Sequence, residues 1–237
     1  MIFNLTEEYI FPNPQLAEEN GLLAIGGDLD PERLLLAYAN GIFPWFNPDD
    51  EILWWCSPYR PIYIPGTVKL SKSTRASLRK YNFEIKLDTD FDTLIMNCAS
   101  VERKGQEMTW ISDEIIDSYR LLNEYGFLHT VEVYLNGEMV GGLYGVSIGR
   151  AFFGESMFQK VSNASKIALY SLSEMLADWG FLFIDSQVSN PHSYRMGARE
   201  LVQSDFLKLL ADSLDFETIR GKWEYDFTDI LAKGRSY

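Results

Sequence analysis

The sequence predicts an α+β protein: a small acidic N-terminal domain over residues 1–61, then a larger domain over 62–237 with a central, mostly antiparallel sheet flanked by helices. Three stretches carry that prediction. HTVEVYLNGEMVGGLYGVSIGRAFFGES, residues 129–156, alternates Val131, Val133 and Leu135 into an Asn136-Gly137 turn, continues as a second strand, and starts a third after Gly149. NASKIALYSLSEMLADWG, residues 163–180, sets Ala168, Leu172, Met175, Leu176 and Trp179 on one helical face and stops at Gly180. FLFIDSQV, residues 181–188, is an apolar strand after that helix.

The remaining elements follow in order. Asp30 and Pro31 are an N-cap and first-turn proline, opening a helix through DPERLLLAYAN that Gly41 ends. A loop rich in Pro and Trp leads to the domain boundary near Pro61. SKSTRASLRKY reads as a helix capped by Ser71, with Lys72, Arg75 and Arg79 on one face. DEIIDSYRLLNEYG is a further helix with Ile115, Tyr119 and Leu122 inward and Gly126 at its end. Asn163 and Ser165 are expected to begin the long helix, in a capping role. Glu155 falls where the meander gives way to that helix. Asp185 and Gln187, two apart, are expected to project from one face of the last strand.

Composition narrows the class. With 237 residues, 46% hydrophobic, and no repeat, the chain is that of an ordinary globular protein. No apolar run approaches the length of a membrane span, so no membrane partner is expected. MIFNLTEEYIFPNP places Glu7 and Glu8 where a secretory leader carries basic residues, which predicts a cytoplasmic protein. Cys56 and Cys98, the latter in a helical stretch, suggest reduced thiols and no metal motif.

The net charge of -13 speaks against nucleic acid, but the distribution speaks for it. Residues 1–51 hold ten acids and the single base Arg33. Residues 52–83 hold no acid and six bases, Arg60, Lys69, Lys72, Arg75, Arg79 and Lys80. Such polarity suits a protein that holds a polyanion on one side and a cation on another, and equally suits ordinary solvated helices.

Antiparallel strands, a helix and a further strand resemble the core of N-acetyltransferase-like (GNAT-like) acyltransferases. Those folds bind a coenzyme pyrophosphate at a glycine-containing loop before the helix. Here that stretch is QKVSNASK, without glycine, so an acetyl-CoA enzyme is disfavoured and no cofactor is expected.

Motifs along nearly the whole chain then carry a closer resemblance: NGLLAIGGDL at 20–29, GIFPWF at 41–46, ILWWCSP at 52–58, TWI at 109–111, GGLYGV at 141–146, GESMF at 154–158, NASK at 163–166 and DSQV at 185–188. In this order they resemble the bacterial leucyl/phenylalanyl-tRNA-protein transferases. The resemblance implies an enzyme that moves Leu, Phe or sometimes Met from aminoacyl-tRNA to proteins beginning with Arg or Lys, creating an N-degron. It implies neither metal nor coenzyme, and a monomer is expected.

The resemblance also implies roles. Asp185, Gln187 and Glu155 belong to the catalytic centre. Gln187 would accept from the attacking amine while Asp185 orients it, and Glu155 would bind the acceptor's cationic end or take a proton. Leu143, Phe152, Leu169 and Ile184 would form the aminoacyl side-chain pocket. Trp45 and Trp110 would stack on the 3′ adenosine, Trp54 and Trp55 would pack between domains, and Lys72, Arg75, Arg79 and Lys80 would meet tRNA phosphates. Asn190 would lie near the acceptor. His192 reads as a hydrogen-bonded loop residue rather than a base. Two competing classes are a peptidoglycan-type aminoacyl-tRNA transferase and a noncatalytic tRNA-binding module.

Overall fold

A computed structural model describes residues 2–101 and 111–236. The N-terminal segment forms β1 (Phe3–Leu5), β2 (Leu22–Gly26), α1 (Pro31–Ala39), β3 (Phe43–Pro44) and β4 (Leu53–Trp55). Its four strands make a small sheet in the order β1-β2-β4-β3. As predicted, the Asp30 carboxylate caps α1 by accepting from the Glu32 amide, Pro31 occupies the first turn, and the chain leaves at Gly41 with φ of 73°. Trp54 is fully buried, edge-on to Phe11, while Trp55 is half-buried.

The chain continues through β5 (Tyr59–Tyr63), α2 (Lys72–Lys80), β6 (Glu84–Leu87), α3 (Phe91–Ala99), α4 (Asp113–Glu124), β7 (Leu128–Leu135), β8 (Glu138–Ile148), β9 (Ala151–Gln159), α5 (Ala164–Asp178), β10 (Phe183–Asp185), α6 (Pro191–Arg195), β11 (Arg199–Val202), α7 (Gln203–Leu214) and α8 (Thr228–Arg235). Seven strands form one sheet in the order β11-β5-β10-β9-β8-β7-β6. Its pairs are antiparallel except β9 with β10. The meander β7-β8-β9 is the one predicted, and its Asn136-Gly137 turn has both residues at positive φ, as a two-residue hairpin requires. The strand β5 runs across residue 61 and belongs to the large sheet.

Two cores cover the sheet. One contains Leu34 and Tyr38 of α1, Leu94 of α3, Tyr119 of α4, Phe153 and Phe206; the other contains Phe152, Leu169, Leu172, Met175 and Trp223. The helix α5 differs from the one-faced amphipathic helix predicted. Its residues are buried from Ala164 through Met175 except Lys166, and Leu176 is buried as well. The sheet lies on one side and α8 on another, so Ile167, Leu169 and Tyr170 are also enclosed. Asn163 stands at its N-cap position but at φ of 71°, with no capping bond from its side chain. That side chain reaches α2 instead, donating to the Ser77 hydroxyl at 3.0 Å.

Candidate active site

Glu155 is positioned by a β-bulge. In the β8–β9 ladder Tyr144 faces Ser156 and Gly145 faces Gly154, leaving Glu155 unmatched. One extra residue breaks the strand's alternation and re-aims the side chain. Phe153 and Phe158 therefore pack in the same core although they are an odd number of residues apart, and Phe152 packs in the other. Gly145 makes the bulge possible. A Cβ there would stand 2.2 Å from the Phe153 carbonyl oxygen.

The bulge turns the Glu155 carboxylate toward two helices. Tyr38 of α1 donates to Oε1 at 2.8 Å and Tyr119 of α4 donates to Oε2 at 2.8 Å, while the two hydroxyl oxygens lie 2.9 Å apart. Gln187 Nε2 donates to Oε1 at 2.6 Å. Burial pushes the Glu155 carboxyl up to about 7, because desolvation outweighs the three donors that favour the anion. Burial, with the Glu155 charge added, holds both tyrosyl hydroxyls well above their usual range.

Asp185 differs from its predicted place beside a substrate amine. It is 0% exposed and bound to Arg60, whose Nη2 lies 2.7 Å from Oδ2 and whose Nε lies 2.9 Å from both oxygens. The guanidinium lies between the Phe43 and Phe206 rings, 4.6 Å from each centroid, and donates through Nη1 to the Gly41 carbonyl at 2.9 Å. Burial works against the Arg60 charge, but the Asp185 carboxylate outweighs it and holds its pKa above the ordinary value. A cation counted from sequence among six basic residues is thus internal. It joins the small sheet's neighbourhood to β10.

Gln187 is not on a strand. β10 ends at Asp185, and Gln187 sits at φ of 57° with its amide donating to Asp185 Oδ1 at 2.8 Å. A non-glycine residue there is strained unless its surroundings hold it, and such positions cluster at functional sites. The Asp185 carboxylate supplies that hold. Asp185 and Gln187 therefore do not share a strand face; one builds the turn that aims the other.

These groups open onto a cavity of about 690 Å³. Leu143, Phe152, Leu169 and Ile184, the predicted side-chain pocket, all line it, together with Glu155, Asp185, Gln187, Asn190 and Trp45. Trp45 is 39% exposed, its ring 6.0 Å from that of Trp55. Asn190 caps α6 by accepting from the Ser193 amide at 2.8 Å. His192 lies on α6 rather than in a loop, at the cavity wall, and burial together with Lys166 and Arg195 lowers its pKa. Trp110 lies outside the described residues.

The basic helix α2 stands apart from the cavity wall. Arg75 donates to the carbonyls of Gly234 and Ser236, and Arg79 to that of Arg235, so both are drawn to the end of α8, while Lys72 and Lys80 are exposed. Among the described residues no group of His, Cys, Asp and Glu could hold a metal ion, and no helix is long and apolar enough to cross a membrane. Cys56 and Cys98 are buried free thiols.

Sequence reasoning missed Tyr38 and Arg60 and took Tyr119 as plain core. A signal existed for the tyrosines, since a buried hydroxyl needs a hydrogen-bond partner.

An apolar recess adjoining a carboxylate, an amide and two hydroxyls suits an enzyme that transfers an apolar acyl group. Known proteins resolve the class further. Residues 62–211 match the family model described as leucyl/phenylalanyl-tRNA protein transferase, and residues 27–58 match the model of that family's N-terminal domain. A leucyl/phenylalanyl-tRNA–protein transferase of Thermodesulfovibrio yellowstonii is 50% identical over 97% of this chain and 94% of its own. One from Desulfatibacillum aliphaticivorans is 48% identical over 98% and 99% respectively. Among solved structures, an aminoglycoside acetyltransferase from an uncultured soil metagenomic sample aligns at 13% identity with a TM-score of 0.35, over 61% of this chain and 97% of that one. The protein is an aminoacyltransferase. The chain belongs to the leucyl/phenylalanyl-tRNA–protein transferase family.

Proposed function

We propose that the chain takes Leu, Phe or Met from aminoacyl-tRNA and joins it to the α-amine of proteins beginning with Arg or Lys, so marking them as N-degrons in the cytoplasm. One observation carries this reading: Leu143, Phe152, Leu169 and Ile184 line the same cavity as Glu155 and Gln187. An apolar side chain held by the first group brings its ester carbonyl toward the second. In this reading residues 62–237, together with the start of β5 at Tyr59, are a GNAT-like transfer domain and the residues before them a smaller domain packed on it, working as a monomer without metal or coenzyme.

The chemistry asks little of the protein beyond placement. Exchange of an ester for an amide is downhill, and an α-amine with a pKa of about 7.7 to 8.0 is already partly unprotonated at neutral pH. Orientation of the amine and stabilisation of the oxyanion remain to be supplied. Gln187 Oε1, whose Nε2 is occupied by Glu155, accepts from the amine. Asp185 acts through the turn that aims Gln187. Trp45 and Trp110 stack on the 3′ adenosine, and Lys72, Arg75, Arg79 and Lys80 face phosphates of the acceptor stem. Asn190 lies beside the incoming N-terminus, and the acids of residues 1–51 attract its cationic side chain.

The test mixes purified protein with leucyl-tRNA and a peptide beginning with Arg, and a matched peptide beginning with Ala. Mass spectrometry is expected to find one added leucyl residue on the Arg peptide alone. Addition to neither, with tRNA still bound, would leave a binding module in place of a transferase.

A further inference from the structure

We propose that Glu155 is the proton carrier of the transfer, and that Tyr38 and Tyr119 are positioning residues that keep it in one place in both of its protonation states. The inference rests on the reaction read above and assigns a step within it.

Geometry carries the argument. Glu155 Oε1, Tyr38 Oη, Tyr119 Oη and Glu155 Oε2 form a closed circuit with three contacts of 2.8, 2.9 and 2.8 Å. Each tyrosyl oxygen has one proton to give. With Glu155 ionised, both hydroxyls donate to the carboxylate and the contact between them holds no proton. With Glu155 protonated on Oε2, the circuit is complete: Glu155 donates to Tyr119, Tyr119 to Tyr38, and Tyr38 to Oε1. The heavy atoms need not move between the two states, so gaining or losing the proton costs little reorganisation.

The carboxylate also has room for a substrate. Of its about four lone-pair positions, Tyr38 and Gln187 take two on Oε1 and Tyr119 takes one on Oε2. One position is left on Oε2, and Glu155 lines the cavity that also holds the apolar recess. Asp185 is unsuited to the task, because a proton there would leave Arg60 unpaired in the core. Gln187 is an amide and no base, and His192 stands outside the hydrogen-bonded cluster on α6.

The step balances. The neutral α-amine attacks the ester carbonyl, forming the N–C bond, and its nitrogen gives a proton to the open position on Oε2 of Glu155, from which rotation about the Cδ–Oε2 bond turns the O–H toward Tyr119 and back. The C–O3′ bond then breaks, and the departing 3′ oxygen takes that proton back from Glu155. One proton passes across one carboxyl, and Glu155 is left ionised for the next turnover.

The groups around Glu155 and its two tyrosines are Tyr38 from α1, Tyr119 from α4, Asp185 and Gln187 from the end of β10, and Arg60 from β5, with Tyr144 of β8 beside the tyrosines and His192 on the same cavity wall. Only Glu155 among them changes charge by way of the tyrosyl circuit. Removing either hydroxyl takes a donor from the anion, which moves the ionisation of Glu155 upward.

The experiment measures kcat and the peptide KM for leucyl transfer to one Arg-initiated peptide from pH 5.5 to 8.5, for the wild-type protein, Glu155→Gln, Tyr38→Phe and Tyr119→Phe. Thermal melts of each variant check its folding. Infrared difference spectra in parallel follow the carboxylic-acid band as pH rises. Expected are a fall of about 10² to 10⁴ in kcat for Glu155→Gln with peptide KM little changed, an acid limb displaced upward in both Phe variants on the same peptide, and a carboxylic-acid band that titrates in wild-type protein and is missing in Glu155→Gln. A Glu155→Gln protein that keeps kcat while KM rises would make Glu155 a binding group and overturn the proposal, as would acid limbs unmoved in both Phe variants. Should Glu155→Gln fail to fold, the Phe variants and the wild-type infrared titration decide. Absence of transfer by the wild-type protein overturns the reaction itself, which is distinct from transfer that ignores Glu155.

Discussion

Arg60 and Asp185, 125 residues apart in sequence, meet as an ion pair in which both side chains are 0% exposed. The pair bonds β5 to β10, reaches Gly41 through the guanidinium and Gln187 through the carboxylate, and so fixes the floor of the site. Removing one partner of a buried pair strands the other charge, a loss of about 3 to 5 kcal/mol. Arg60→Met is expected to lose that much by urea unfolding. Asp185→Ala should be as unstable, whereas Asp185→Asn, which keeps an acceptor for Arg60 and for the Gln187 amide, should lose less. Equal stability of Asp185→Ala and wild type would show that the pair carries no net weight.

Glu155 makes the fold less stable as pH rises. Its carboxyl, moved from 4.5 to about 7, binds a proton in the folded state that the unfolded chain has already released. Stability from this group is therefore full below about 4.5, is lost as pH rises, and is gone above about 7. Relative to wild type, Glu155→Gln should gain on the order of 3 kcal/mol between those limits. Denaturant midpoints of the two proteins at pH 4.5 and pH 8 check this; parallel behaviour would mean an unshifted carboxyl.

Gly145 has no room for a side chain, since the atom a Cβ would strike is the Phe153 backbone carbonyl at 2.2 Å. Gly145→Ala should cost about 1 to 3 kcal/mol and disturb the bulge, so transfer should fall by more than the folded fraction does. Activity normalised to folded protein separates the two effects.

Donor choice should follow the recess. Leu169→Ala enlarges it and is expected to raise transfer of Phe relative to Leu by about tenfold, within the ~1 to 3 kcal/mol that such apolar fits discriminate. Competition between leucyl-tRNA and phenylalanyl-tRNA reads the ratio, and an unchanged ratio would move the side-chain pocket elsewhere.

Salt dependence tests α2. Lys72 and Lys80 are exposed, whereas Arg75 and Arg79 already donate to carbonyls at the end of α8. Replacing both lysines by Ala should lower the magnitude of the log–log salt slope of tRNA binding by about 1 to 2. No change in slope would remove this helix from the RNA surface.

Much of the fold was legible along the chain. The Asp30-Pro31 start of α1, the Ser71 start of α2, the Asn136-Gly137 hairpin and the Gly180 stop of α5 rest on interactions between residues a few positions apart. The apolar residues Leu143, Phe152, Leu169 and Ile184 were named from their places on the predicted elements and the family pattern, and Glu155, Asp185, Gln187, Asn190 and Trp45 from the family resemblance; all of them line the cavity.

Sequence by itself thus determined the α+β class, the meander and the helices α1, α2, α4 and α5, because periodicity, caps and turn chemistry are local, while the residues that gather at the cavity were named through the family resemblance. Only the tertiary structure decided what those residues do to one another. It placed Arg60, counted along the chain only as one charge of a basic segment, in the core, made Asp185 its partner, aimed Glu155 through a bulge at Tyr38 and Tyr119, and turned Gln187 off the strand. Desolvation is the reason. Burying a charge or a hydroxyl demands a partner, and here the partners come from helices and strands far apart in the chain.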